Sequence, residues 1–355
     1  MNNIQKTILI TGGCGHIGTN LATLALKKGY NVISFDNLHR AGVETNILKH
    51  ENYQMVRGDI RNPEDFNFIP NRDKITAIYN FAANSGVPWS FKNPEFDYNV
   101  NARGVFNVLE FSRKNGKIPV IQSSTNKIYS EDINEIPLIE KRTRYVYNDN
   151  KFKNGISESF PMDSVGKSGH SPYGNSKASA DLMCQEWYHA FNIPTVVIRM
   201  SCIYGKYQFG VTDQGWMAWF VIAKVLGLPL TIYGDGKQVR DALYAEDVAR
   251  LYLMALENID KFKGKVFNIG GGMKNTVSLI EAIELIDLID NGRHPEFKIK
   301  YEDWREADHR CYISDIDKIT SCSDWSPTIN VGLGLRKTYD WVVNNKELLK
   351  RYIKY

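Results

Sequence analysis

The chain is short of cysteine, of long apolar runs and of net charge, and each shortage removes a class of function. Its five cysteines (Cys14, Cys184, Cys202, Cys311, Cys322) are odd in number and contain no CxxC pair. That argues against a disulfide framework and a zinc site, so reduced thiols and no metal are expected. The longest apolar stretches, residues 196–198 and 220–230, fall far short of the roughly 20 residues that a membrane span requires. Residues 1–6 are polar and run straight into a strand-like segment, with nothing resembling a signal peptide. A cytoplasmic location with no membrane partner is therefore expected. A formal charge of +4 spread over 355 residues, with only a moderately basic tail at 336–355, excludes a nucleic-acid footprint.

What is present is an ordinary globular composition, 43% hydrophobic and 24% charged, without low-complexity tracts or internal repeats. Its length is sufficient for two joined lobes. Over the first 120 residues, β-rich runs at 8–11, 32–36, 54–57, 77–82 and 119–123 alternate with helical patterns, clearest at 17–28 and 97–114. The central runs are nearly continuous in apolar residues, as in a parallel sheet covered on both faces. A polar stretch at 130–171 is longer than the usual connection and reads as a flap near the site. Beyond it come a helix at 175–189 and a strand at 195–198, then helices at 217–226, 245–257 and 278–289 with strands at 230–233 and 266–269. The expected fold class is α/β: a doubly wound parallel sheet of Rossmann type with a smaller, mixed α/β C-terminal substrate lobe. The first lobe takes residues 1–200 with chain returning around 236–270, and the second takes 201–235 and 271–355. No linker separates them.

Thr11-Gly12-Gly13-Cys14-Gly15-His16-Ile17-Gly18 follows the first predicted strand and opens the first helix, and satisfies the GxGxxG dinucleotide pattern. Glycines there let backbone approach a pyrophosphate, and the helix N-terminus supplies unpaired N–H groups. Alone the pattern is weak. Asp36 ends the second strand 18 residues after Gly18, and Gly58-Asp59-Ile60 follows the third. A carboxylate at Asp36 would bind ribose hydroxyls and repel a 2′-phosphate, which favours NAD, although Arg40 leaves room for NADP.

Ser171-Pro172-Tyr173-Gly174-Asn175-Ser176-Lys177 places Tyr173 and Lys177 four residues apart, on one face of the predicted helix. A phenol with a reference pKa of about 10 is a poor base at neutral pH. A nearby ammonium and a nicotinamide cation would both favour its phenolate. YxxxK recurs by chance on solvated helices; its position after the fifth strand of a dinucleotide fold makes it a catalytic candidate. That strand ends Ser123-Ser124-Thr125-Asn126-Lys127, where Thr125 is the candidate hydroxyl for the reacting substrate oxygen.

Together these residues, with Phe81-Ala82-Ala83 and Asn99, resemble the extended short-chain dehydrogenase/reductase family of nucleotide-sugar enzymes, over nearly the whole chain. Within it, the 123–129 and 170–174 runs, Asp213-Gln214-Gly215-Trp216 and Gly236-Lys237-Gln238-Val239-Arg240-Asp241 are similar to the CDP-paratose 2-epimerase group. The resemblance implies cofactor contacts from Gly12, Gly15, His16, Ile17, Gly18, Asp36, Asn37, Arg40, Asp59, Ile60, Phe81, Ala82, Ala83, Asn99, Ser123, Ser124, Tyr173 and Lys177. It implies substrate contacts from Ser85, Thr125, Asn126, Lys127, Ser201, Cys202, Gln214, Arg240, Arg305 and Asp308, the two arginines gripping the diphosphate. Two departures matter. Related dehydratases carry Asp-Glu where this chain has Asn126-Lys127, a poor pair for eliminating water. Many relatives carry Asn where this chain has Cys202, which is therefore carried over only as a wall of the cleft.

The implied chemistry is transient oxidation of a sugar carbinol and reduction from the opposite face, with C2 of a CDP-linked 3,6-dideoxyhexose as the implied centre. A nucleotide-sugar 4-epimerase, an NADPH-dependent nucleotide-sugar reductase and a non-catalytic NAD sensor are the alternatives; the Thr125, Tyr173 and Lys177 set speaks against the last. Relatives pair through the helices that would here be 97–114 and the one following Tyr173, so a homodimer or homotetramer is expected.

Overall fold

A computed structural model describes residues 6–163 and 171–353. Seven parallel strands form the central sheet: β1 (Thr7–Thr11), β2 (Asn31–Asp36), β3 (Tyr53–Arg57), β4 (Ile75–Asn80), β5 (Val120–Thr125), β6 (Thr195–Met200) and β7 (Lys265–Ile269). Their order is β7-β6-β5-β4-β1-β2-β3, so the winding reverses between β1 and β4 and opens a crevice at the carboxyl ends of those strands. Alternate residues of β1 serve opposite faces. Ile8 and Ile10 join one core with Leu21, Ala25, Leu251 and Tyr252, drawn from α1 (His16–Lys27) and the helix Ala245–Glu257. Leu9 joins the other with Val105, Leu109, Ala180 and Cys184, from α2 (Gly104–Lys114) and α3 (Pro172–Phe191).

The strand Val239–Tyr244 organises the remaining chain. It pairs with Cys202–Tyr204 and Cys311–Tyr312 in parallel and with Thr276–Ser278 in antiparallel fashion. A separate parallel pair, Pro229–Tyr233 with Lys298–Glu302, stands beside it. Phe220, Tyr244, Ile286 and Tyr339 are among the residues that fill the core below. The last helices, Val331–Asn344 and Lys346–Tyr352, have no counterpart in the sequence reading. Among the described residues no helix is long and apolar enough to cross a membrane.

Several boundaries move for identifiable reasons. The helix expected at 97–114 is Pro94–Tyr98, a π turn at Asn99–Arg103, and α2. Buried Asp97 and Asn101 turn their polar groups outward to Asn84 and Ser176 there, and a side chain on Gly104 would meet Ile60 at 2.5 Å. β4 stops at Asn80, because the next residues fold over the glycine turn. α3 starts at Pro172 instead of residue 175: the Ser171 hydroxyl accepts the Gly174 N–H at 3.1 Å, and proline suits the first helical position.

The flap expected at 130–171 is not one over its described part, 130–163. Ile133, Ile136 and Ile156 are buried against Tyr129 and Tyr312. The Ile156 N–H donates to the Ile313 carbonyl at 2.7 Å, and its own carbonyl accepts the Asp315 N–H at 2.9 Å. Residues 164–170, including His170 of the quoted motif, lie outside the described residues. Apolar side chains spaced through a polar stretch anchor it to the second sheet. Ile156→Ala should therefore lower stability by about 2–5 kcal/mol in urea unfolding; an unchanged midpoint would show that this segment does not pack.

Candidate active site

The crevice continues into a cleft of about 880 Å³ that reaches from the glycine turn to residues 305–308. At its floor Gly12 adopts φ +66°, and a Cβ there would stand 2.6 Å from the Ala82 nitrogen. Backbone thus meets backbone with no room for a side chain. Helix α1 begins at this turn with no side-chain cap and no acid in its first turn, so its N–H groups and positive end remain for an anion. The His16 imidazole lining this region is pushed down to about 3, by burial first and then by Arg40, so it stays neutral. Asp36 is fixed by its backbone: one oxygen accepts the Leu38 N–H at 2.8 Å and the other the Cys14 N–H at 3.0 Å. Burial pushes this carboxyl up against those two bonds, and each oxygen retains a lone pair for a ribose hydroxyl. Asp59 accepts from Asn37 at 2.8 Å and pairs with Arg61 at 2.6 Å.

These residues fit a dinucleotide: a side-chain-free turn, an uncapped helix end and an acid at the end of β2. Gly15, Ile17, Gly18, Ile60, Phe81, Ala82, Ala83, Ser123 and Ser124 also line the cleft. Asn99 does not; it lies on the π turn, and its neighbour Val100 reaches the wall. Arg40 turns away from Asp36. Its guanidinium donates to the Gln214 side chain and, at 2.7 Å, to the Phe209 carbonyl, so it is committed to residues 209–214 instead of standing ready for a 2′-phosphate.

Thr125, Tyr173 and Lys177 meet where β5 ends and α3 begins. Burial pushes the Tyr173 phenol up to about 12, offset in part by its hydrogen bond with Thr125 and reinforced by Asp97. Burial likewise pushes Lys177 down to about 8. The ammonium donates to the Ser123 carbonyl at 2.7 Å. In the chain alone, with Lys177 one helical turn away, the phenol therefore stays protonated at neutral pH. A phenolate here needs a further positive charge, which a bound nicotinamide cation would bring.

Beyond Thr125 lies a chain of charges. Lys127 donates to the Ala307 carbonyl at 2.6 Å and stands 3.7 Å from Asp308. Arg240 pairs with the same carboxylate at 2.5 Å, and its sequence neighbour Asp241 instead accepts from Ser201. Burial raises the Asp308 carboxyl, but Arg240 and Lys127 outweigh it and hold the group below its usual range. Arg305 reaches Asp213 at 2.7 Å and the Thr212 carbonyl at 3.0 Å, with its guanidinium 3.8 Å above the Tyr233 ring. Its partners are therefore not its neighbours Asp303 and Glu306. The Cys202 thiol is pushed up to about 12, mainly by burial, and is a neutral wall. Ser85, Asn126 and Gln214 line the same space.

Sequence reading missed Tyr233, Asp213 and a set of carbonyl contacts that only folding creates. Asn20 donates to the Lys206 carbonyl at 3.1 Å, Asn46 to that of Tyr207 at 3.2 Å, and Arg40 to that of Phe209. A side chain on Gly42 would meet the Phe209 ring at 2.6 Å. Residues 206–214 are thus strapped across the glycine turn. Arg40→Ala removes two of the ties, and bound cofactor should dissociate about 10-fold faster. Absorbance of the protein after repeated gel filtration measures this, and undiminished retention would show that the strap does not hold the cofactor.

Comparison with known proteins agrees with this geometry. Residues 8–270 match the model of the NAD dependent epimerase/dehydratase family. The chain is similar to a CDP-paratose 2-epimerase of Salmonella typhi, 40% identical across 94% of this chain and 98% of that protein. Among solved structures it is similar to a dTDP-glucose 4,6-dehydratase of Bacillus anthracis in complex with NAD (TM-score 0.76, 29% identity, covering 98% of this chain and 100% of that one). It is also similar to a UDP-glucuronic acid 4-epimerase of Bacillus cereus in complex with UDP-glucuronic acid and NAD (TM-score 0.77, 27% identity, 95% and 99% covered). With an uncapped helix over a glycine turn, an acid at the end of β2 and a Thr, Tyr and Lys set beside them, this chain belongs to the NAD dependent epimerase/dehydratase family.

Proposed function

We propose that the chain epimerises C2 of a CDP-linked 3,6-dideoxyhexose, converting CDP-paratose to CDP-tyvelose. The observation that carries this reading is the pair after Thr125. The Asn126 amide and the Lys127 ammonium, the latter tied to the Ala307 carbonyl and beside Asp308, are a poor acid and base pair for eliminating water. Similarity to the Salmonella protein supports the CDP-sugar. NAD, when bound, supplies a reversible hydride acceptor, so the carbinol becomes a ketone and is reduced again from its other face.

The protein's own groups handle the proton and the pose. Tyr173 takes the hydroxyl proton as phenolate and returns it, Thr125 donates to the reacting oxygen, and Lys177 holds the ribose side of the cofactor. Asp36 and Asp59 serve the adenosine end. Arg240, aimed by Asp308, and Arg305, held flat on Tyr233, take the diphosphate, for which arginine's planar fork is suited. Asn126, Lys127 and Gln214 border the hexose, and Cys202 with Ser201 and Ser85 shapes its wall. Five free thiols suit a reducing cytoplasm.

A homodimer formed through α2 and α3 completes this reading, supported by an apolar surface on α3 where Leu182 is 54% and Phe191 39% exposed. Leu182→Glu should convert dimer to monomer in sedimentation velocity, and an unshifted boundary refutes this interface. For the reaction, purified enzyme with CDP-paratose should yield the C2 epimer by NMR, and Tyr173→Phe should lower kcat by about 10²–10⁴-fold. Turnover of UDP-hexoses at C4 with none of CDP-paratose would overturn the substrate, and full activity of Tyr173→Phe would overturn the base.

A further inference from the structure

Helix α3 carries Tyr173, Lys177 and Asp181 at four-residue intervals, hence along one face. The first two belong to the catalytic reading; the third has no part in it, yet Asp181 is fully buried and its carboxylate is heavily engaged. It accepts the Ser124 hydroxyl at 2.7 Å, from the residue preceding Thr125 on β5. Arg199 of β6 meets it in a two-pronged pair, Nε and Nη2 each at 3.0 Å, and the Gln185 amide adds a bond at 2.7 Å. Arg199 is itself buried and donates to the Tyr129 hydroxyl at 3.1 Å, which in turn donates to Asn268 of β7 at 2.6 Å. One carboxylate therefore fastens the catalytic helix to the strand bearing Thr125 and to the next two strands.

We infer that Asp181 is a positioning residue for the reaction: through Ser124 it sets the register of Thr125 against Tyr173, and by its charge it keeps Lys177 an ammonium ion. The inference rests on the catalytic reading of Thr125, Tyr173 and Lys177. A buried carboxylate paired with arginine and bonded to a serine need not lie beside a functional lysine to stabilise a fold. Here it lies one helical turn from a lysine that has no carboxylate within its own hydrogen bonds, only the Ser123 carbonyl. The other groups acting on Lys177 are Cys184 on the same helix and Asp97 from Pro94–Tyr98. Cys184 is held as a neutral thiol by burial. The negative charge beside Lys177 thus comes from Asp181 and Asp97, and Asp97 is already shared among Asn84, Asn101 and Ser176.

Removing the charge of Asp181 leaves Arg199 facing the helix and makes the ammonium form of Lys177 less favourable. Since Lys177 is already pushed down to about 8, its ammonium form is present below that pH and lost above it. Asp181→Asn therefore moves the alkaline limb of the kcat profile to lower pH, by about one unit, and lowers kcat at pH 7 about 10-fold with KM for the sugar nucleotide unchanged. Leaving Arg199 buried and unpaired can itself unfold the chain, so the paired variant Asp181→Asn/Arg199→Met removes both charges and keeps the shift testable, its limb moving in the same direction by less. Asp181→Glu, which restores the charge, should return the limb to its original position even if kcat stays low. An alkaline limb that stays in place in the folded variants overturns the inference, since a merely structural role would lower kcat without moving it. Wild-type enzyme inactive on CDP-paratose and UDP-hexoses alike would instead overturn the catalytic reading on which the inference rests.

Discussion

Parallel pairing of β1 with both β2 and β4 is the constraint on which the molecule turns. Because the chain leaves β1 in one winding direction and reaches β4 in the other, the segments following the two strands diverge, and a crevice must open at their carboxyl ends. The glycine turn, the end of β2 with Asp36, and the residues that fold over Gly12 all meet there. Gly12 and Ala82 approach as bare backbone, so the crevice floor is rigid, and the side chains that act on ligands stand on its walls.

Charge in those walls is managed by pairing. Arg40, Arg240 and Arg305 each have a fixed acceptor, and each acceptor lies in a segment distant in sequence. An arginine whose fork is already aimed loses little freedom on meeting a phosphate oxygen. On the proposed reading, the Arg240–Asp308 and Arg305–Asp213 pairs have to be shared or broken when the diphosphate arrives, which ties ligand binding to the loops 206–214 and 305–308. The proposed role of Asp181 follows the same pattern: the buried carboxylates of Asp181 and Asp97 favour the charged form of Lys177 without bonding to it.

Much of this was legible in the sequence because it depends on local rules. The seven main strands follow apolar runs bounded by glycine and polar residues, and the glycine turn and the Tyr173/Lys177 spacing are short-range patterns that survive folding unchanged. What escaped depends on long-range contact. Ile133, Ile136 and Ile156 are too sparse in a polar stretch to announce a core, so residues 130–163 read as a flap. The π turn at 99–103 exists because Asp97 and Asn101 find partners 13 to 79 residues away. Arg40 reads as a cofactor ligand by position, and only the fold brings the Phe209 carbonyl and Gln214 within its reach. Arg240 and Arg305 likewise find their carboxylates, Asp308 and Asp213, 68 and 92 residues away in sequence.

On the proposed reading of Tyr173 as the base, its raised phenol has a consequence for the direction of proton traffic. A group this reluctant to ionise gives up its proton only while an oxidising cation lies beside it, and takes one back as soon as that charge is neutralised. The ketone halfway through the reaction is then faced by an acid instead of a base, which favours its reduction over its escape. The residue that starts the first half of the cycle is thereby converted, by the first half itself, into the group that the second half needs.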